Sequence, residues 1–172
     1  MRIIKSKQFI LRPFNKKDER SLAKNINNKK IYRATLNIPY PYSLKDAKEW
    51  IAKNLKEVKK KNLTEVNFVI DINGEIVGSV GLDKIEDHKA EIGYWLAEKH
   101  WSKGIITEAV RLITKFGFEE LKLRRIYAYV FPFNKASMRV LEKADYKFEG
   151  IIRKDVKKDN KFMDDYLFAN VR

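Results

Sequence analysis

The residues of this 172-residue chain best suited to chemistry lie in one run, EIGYWLAEKHWSKGIITEA, which begins at Glu91 and ends at Ala109. A β-rich stretch passes there through a short polar loop into a helical pattern. The first amides of a helix have no intrahelical acceptor, and together with the positive end of the helix dipole they form a ready anion site. Gly104 leaves the backbone open to close approach, Lys103 adds positive charge, and Ser102 and Thr107 offer hydroxyls. The chemistry this implies is phosphate binding. The same residues also suit a plain strand-to-helix turn in which glycine relieves backbone strain. With no cysteine the chain has no thiolate nucleophile and no Cys-based zinc site, and His88 and His100 cannot form a metal site by themselves.

The elements that must position this run can be read on either side of it. Phe9, Leu11 and Phe14, spaced around Arg12 and Pro13, predict a short strand over residues 8–14. Leu22, Ala23 and Ile26 give helical spacing to residues 18–27. Beyond a loop at Pro39, Tyr40, Pro41 and Tyr42, Ser43 suits the N-cap of an amphipathic helix carrying Ala47, Trp50, Ile51, Leu55 and Val58. Asn73-Gly74 predicts a tight hairpin between strands at 66–72 and 75–82, and a third strand follows at 89–97. From Gly104 to about Leu121, Ile106, Val110, Ile113 and Phe116 share one helical face. A strand at 125–131, a helix at 134–143, and strands at 146–153 and 162–171 joined by a turn at Asp159 and Asn160 complete the order. The chain contains no internal repeat or linker, which predicts one α/β domain over residues 1–172 built on a single sheet.

Thirty-seven lysines and arginines against 23 acidic residues give a net charge of +14. That excess suits a nucleic-acid or ribosomal surface, a phosphate-bearing cofactor, or a surface that is simply solvated by lysine. Residues 1–14 lack the roughly seven-residue apolar core of a signal peptide. No segment reaches the roughly eighteen apolar residues of a membrane helix. With the absence of cysteine, these features predict a cytoplasmic protein with no membrane partner.

With the elements in place, the chain resembles the GNAT superfamily of N-acetyltransferases, and within it the branch of RimJ/RimL protein N-terminal acetyltransferases. The resemblance is carried by Gly-Tyr-Trp-Leu at 93–96, Trp-Ser-Lys-Gly at 101–104 and Thr-Glu-Ala at 107–109. It extends to Leu-Arg-Pro-Phe at 11–14 with Asp18, to the Pro-Tyr loop and Ala47-x-x-Trp50-Ile51, and to Asn134, Ser137, Val140, Leu141, Glu142 and Lys143. Glu149, Gly150, Arg153 and Asp164 match the closing hairpin of the family. Four positions depart from its pattern. Trp101 and Ile106 stand at the ends of the phosphate loop, and Ser102 and Asp145 replace glycines. Ile106 is expected to point inward and Asp145 to adopt left-handed backbone angles.

The resemblance implies an α/β GNAT fold: a mixed central sheet, helices on both faces, and a fourth and fifth strand (89–97 and 125–131) that splay apart. It implies acetyl-CoA as cosubstrate, without a metal, held by Leu96, Ser102, Lys103, Gly104, Ile105, Ile106, Thr107, Asn134 and Ser137. Gly93 is expected at a bulge or close approach. Glu91 is implied as the base, acting directly or through water, and Ser137 as the proton donor to the departing thiolate, with Tyr127, Tyr129 and Tyr166 as alternative donors. Asn134 also suits a plain helix N-cap. The implied acceptor is a protein N-terminal α-amine, a ribosomal protein and ribosome association included. An α-amine, with a reference pKa of roughly 8, yields its proton more readily than lysine at roughly 10.4. The alternatives are a small amine, such as a polyamine or aminoglycoside, and a non-catalytic RNA- or ribosome-binding module on the same scaffold. A polycationic acceptor requires acids to cluster locally in a chain of this charge. The assembly is expected to be a monomer or homodimer.

Overall fold

The computed structural model describes residues 3–172, so Met1 and Arg2 of the expected domain lie outside it. Eight strands form one sheet in the order β1-β2-β3-β4-β5-β6-β8-β7. They are β1 (Ile4–Lys5), β2 (Ile10–Arg12), β3 (Val66–Ile72), β4 (Glu75–Glu86), β5 (Lys89–Leu96), β6 (Arg125–Val130), β7 (Lys147–Lys158) and β8 (Lys161–Val171). Five α-helices accompany them: α1 (Glu19–Ile26), α2 (Lys29–Ala34), α3 (Leu44–Glu57), α4 (Ile105–Glu119) and α5 (Lys135–Lys143). All strand pairs run antiparallel except β5 with β6.

Local chemistry accounts for most boundaries. Asn73 and Gly74 both take positive φ, 54° and 83°, as the tight hairpin between β3 and β4 requires. Asp159 and Asn160 do the same between β7 and β8, at 49° and 60°. Ser43 caps α3 by accepting from the Asp46 amide at 3.2 Å, while Asp46 accepts from the Ser43 amide at 2.7 Å. The expected first strand contracts to Ile10–Arg12, because Pro13 cannot donate to a ladder, and β1 precedes it. Helix α2 is an element that hydrophobic periodicity did not reveal. It is six residues long with one buried side chain, Ile31, and is started by Asn28, whose side chain accepts from the Lys30 and Ile31 amides.

Each face of the sheet packs against its own layer. On one, Val80, Leu82, Ile92, Ile126 and Ala128 meet Ile105, Val110 and Ile113 of α4 and Met138 and Leu141 of α5. On the other, Val69, Ile76 and Trp95 meet Leu22 and Ile26 of α1 and Ala47 and Ile51 of α3. Burial of these side chains supplies the main driving force.

The decisive feature lies between β5 and β6. Their register holds for three pairs only: Lys89 with Arg125, Ala90 with Ile126, and Glu91 with Tyr127. Beyond Glu91, β5 stays bonded to β4 as far as Leu96, and β6 stays bonded to β8 as far as Val130. The fourth and fifth strands expected from sequence, here β5 and β6, therefore diverge while each is held by its outer neighbour.

The Leu-Arg-Pro element proves to be a structural clamp. Arg12 donates through Nη1 and Nη2 to the two oxygens of Asp18, both at 2.8 Å, and through Nε to Asp71 at 2.7 Å. It thereby ties β2 to the start of α1 and to β3. Asp18 and Asp71 are both buried, so removing the arginine strands two carboxylates. Arg12→Ala is expected to lower unfolding stability by about 3–5 kcal/mol, read from the urea midpoint at constant m-value.

Candidate active site

The site assembles around the opening between β5 and β6. The Ala97 amide donates to Val77 O at 2.7 Å, which fixes the alternation of the β4–β5 ladder. Backbone groups of Tyr94 and Leu96, past the last pair with β6, consequently point away from β4 and into the opening. This is a strand edge with a place for one more extended chain. One group there is already engaged: the Trp101 indole donates to Leu96 O at 2.7 Å. Trp101, at the departed end of the expected phosphate loop, thus braces that loop against the strand.

Beyond Trp101 the chain makes an exposed turn through Ser102, Lys103 and Gly104 into α4. Ser102 has φ 61° and Gly104, the N-cap, has φ 77°. No side chain caps this helix end, so the amides of Ile105, Ile106 and Thr107 lack an intrahelical partner. A β-carbon on Gly104 would meet nothing within 4 Å. The glycine is therefore required by its backbone angle rather than by crowding. Both departures from glycine are accommodated in the left-handed region, Ser102 as above and Asp145 at φ 65°. The expectation for Ile106 needs correcting. Ile105 is the inward residue, 3% exposed, whereas Ile106 is half-buried at the rim of the core. The single-face pattern misplaced the buried stripe by one residue at the helix start.

At the α5 end stand Asn134 and Ser137. Asn134 is the N-cap, its Oδ1 accepting from the Ser137 amide at 3.1 Å and its Nδ2 reaching Ala34 O of α2 at 3.5 Å. The Ser137 hydroxyl lies 2.8 Å from the Tyr94 hydroxyl, which crosses from β5. Burial pushes the Tyr94 phenol above its ordinary value, so it stays protonated. The Tyr94 side chain was missed in the sequence. The signal available was its place on the buried face of β5, alternating with Ile92 and Leu96. Lys30, Arg33, Ala34, Phe133 and Asn134 line a cavity of about 200 Å³ beside this pair.

Glu91 faces the other way. It sits at the last paired position before the strands part, and its Oε2 accepts from Lys84 Nζ at 2.7 Å. Asp83 is directly opposite it on β4. Strand alternation places Tyr127, Tyr129 and Asp165 on the same side of the sheet. Asp83 and Asp165 each have an oxygen, Oδ1, that is buried and unpartnered among the described residues, as is Asn67 Nδ2. Burial, with Glu65 and Glu91 nearby, pushes Asp83 up to about 6. Burial, with Asp155 and Glu91, pushes Asp165 to about 6. Neither aspartate was singled out in the sequence. Asp164, which matched the family hairpin, instead accepts from the Lys154 amide at 2.8 Å and holds a bulge of β7.

Gly93 does not occupy a bulge. It pairs in register with Gly81, and a β-carbon on it would come no nearer than 3.6 Å to Asp83. The two glycines bare the floor beside the carboxylates, and the Asn67 side chain fills the space over Gly81. Of the alternative donors, Tyr127 and Tyr129 lie on the carboxylate face, whereas Tyr166 packs on the α4 side. Ser137 thus meets β5 through Tyr94, and the loop before α4 adjoins the opening through Trp101, while Glu91 stands across the sheet from Ser137. Among the described residues no group of side chains is arranged to hold a metal ion.

Comparison with known proteins agrees with this geometry. Residues 8–147 match the family model described as an acetyltransferase (GNAT) domain. The probable N-acetyltransferase YjcK of Bacillus subtilis (strain 168) is 34% identical over 97% of this chain and 96% of its own length. Spermidine N(1)-acetyltransferase of Escherichia coli (strain K12) is 26% identical over 81% of this chain and 73% of its own. The solved structure of RimL, named as a ribosomal L7/L12 alpha-N-protein acetyltransferase in complex with coenzyme A, superposes with a TM-score of 0.89 at 21% identity, covering 99% of this chain and 98% of that one. No described helix is long and apolar enough to cross a membrane. A sheet that parts between β5 and β6, a helix start with free amides below it and an N-acetyltransferase sequence along nearly the whole chain place this protein in the GNAT family of acetyl-CoA-dependent N-acetyltransferases.

Proposed function

We propose that the protein acetylates a primary amine delivered to the carboxylate-bearing face of the opening, the thiol product forming on the opposite face beside Ser137. The single observation that carries this reading is the end of the β5–β6 register at Glu91 and Tyr127. It makes a passage through the sheet with a carboxylate on one side and a hydroxyl pair on the other.

In this reading the amides of Ile105, Ile106 and Thr107, with Ser102, Lys103 and Gly104, grip the diphosphate of acetyl-CoA. The open edge of β5 takes the pantetheine amides as an added strand would, through the groups of Tyr94 and the Leu96 amide. Asn134 orders the first turn of α5 and so aims Ser137. An amide of the same edge donates to the thioester oxygen as charge develops there. The acceptor ammonium gives a proton to Glu91, directly or through water, and the freed amine attacks. The C–N bond forms, the C–S bond breaks, nitrogen releases its second proton to solvent water, and sulfur takes one from Ser137, whose hydroxyl regains a proton from solvent by way of Tyr94. The salt bridge to Lys84 holds Glu91 in place and occupies one of its oxygens, which argues for a bridging water.

Two acceptor classes follow. A protein N-terminal α-amine is supported by the kinship of fold to RimL and by the RimJ/RimL-like motifs, and it carries with it the expectation of ribosome association. A small polycationic amine is supported by a specific observation: carboxylates cluster at the opening of a strongly basic chain. Family membership removes the reading of a non-catalytic module.

Incubation with acetyl-CoA, an array of peptides differing in N-terminal residue, and a set of polyamines, read by mass gain, tests the proposal; no acetylated product in any arm overturns it. Ser137→Ala is expected to lower kcat on the order of a hundredfold, with KM for acetyl-CoA changed by less than about threefold. Unchanged turnover would remove Ser137 as the donor. Glu91→Gln should reduce kcat about tenfold or more at neutral pH, and full activity in that variant would give the proton to water or to another carboxylate.

A further inference from the structure

The acceptor face holds more negative charge than one proton transfer uses. Asp83 and Glu91 are direct cross-strand partners on β4 and β5, a like-charge pairing that sheets normally avoid. Asp165, from β8, comes to the same face and is 3% exposed, with Oδ1 buried and unpartnered among the described residues. The nearby lysines are committed elsewhere. Lys84 bonds Glu91 and Lys53 bonds Glu65. At the tip of the β7–β8 hairpin, Lys158 lies over the Tyr32 ring, its Nζ 3.8 Å from the centroid, and not against Asp165. In a chain with 37 lysines and arginines, a buried carboxylate left without a cation is exceptional. Such groups destabilise a fold unless something binds them, and they persist at sites where a ligand supplies the missing charge.

We infer that Asp165, with Asp155 and Glu91 near it, is a cation subsite that receives a second ammonium group of the acceptor while the amine to be acetylated stands at Glu91. This deepens, and rests on, the reading that a primary amine is acetylated at this opening. The ligand chemistry is a primary amine with a further positively charged nitrogen a few carbon atoms away. A polyamine presents it, and so does a peptide N-terminus followed by a basic side chain. Asp165 acts by charge and hydrogen bonding to the non-reacting nitrogen, so its contribution belongs to binding and is read mainly in KM.

The test compares spermidine, n-butylamine, and tripeptides with lysine or alanine at the second position, in the wild-type protein and in Asp165→Asn. The wild type is expected to favour spermidine over n-butylamine by about tenfold or more in kcat/KM. Asp165→Asn should erase that preference, its loss on spermidine exceeding its loss on n-butylamine by about tenfold. A parallel discrimination between the two tripeptides assigns the second charge to a protein terminus, and its absence assigns it to a polyamine. An equal loss on all four acceptors, or no wild-type preference for a second charge, overturns the subsite. Calorimetric titration of spermidine into the cofactor-free protein separates this inference from the transfer reading. Binding that Asp165→Asn weakens, without acetylation of any amine, leaves the subsite standing and sinks the transfer reading. Saturable binding unaffected by the substitution does the reverse to the subsite.

Discussion

Three paired residues between β5 and β6, and none after them, set the terms for the rest of the molecule. A parallel pair of this kind ordinarily continues as far as both strands extend, because each further pairing satisfies an amide and a carbonyl. Here both strands continue, but bonded outward, β5 to β4 and β6 to β8. The inner edge of β5 is left with polar backbone groups facing an opening, a condition that sheets usually avoid by covering or closing the edge. Trp101 satisfies one carbonyl. The remainder form a row of donors and acceptors along the opening.

The opening divides the chemistry into two faces. Tyr94 and Ser137 meet on the side packed by α4 and α5, where burial keeps the phenol protonated and able to donate. Glu91, Asp83 and Asp165 lie on the side of α1 and α3, where burial, with Glu65 and Glu91 near Asp83 and Asp155 and Glu91 near Asp165, pushes the two aspartates up to about 6. A proton donor and a set of proton acceptors only a sheet's thickness apart would exchange protons if a water chain joined them. The sheet itself, with Trp95 buried on one side and Leu96 on the other, keeps the two environments separate.

Net charge and local charge point in opposite directions. The chain is +14, and its lysines populate the surface, whereas the face bearing Glu91, Asp83 and Asp165 gathers carboxylates. Long-range attraction therefore favours a polyphosphate cosubstrate, and short-range attraction at that face favours cations.

Much of this was legible in the residues. Asn73-Gly74 and Asp159-Asn160 could be read as turns because their backbone preferences are local, and Ser43 as a cap for the same reason. Gly104 and the amides after it were readable because a strand, a polar loop and a helix follow one another without a gap in sequence. Helix α2 was not, since its six residues bury one side chain and leave no period to detect. Nor were the stripe at the start of α4, where Ile105 rather than Ile106 turns inward, and the regular pairing of Gly93. Asp83, Asp165 and the Tyr94 hydroxyl acquire meaning only from neighbours 8, 74 and 43 residues away in Glu91 and Ser137. The sequence by itself determined the succession of the larger elements, the turns between them and the helix start after Gly104, all of which depend on residues adjacent in the chain. Tertiary structure alone decided which side of the opening each side chain serves and which carboxylates lose their water, because strand register and burial are properties of segments brought together from far apart.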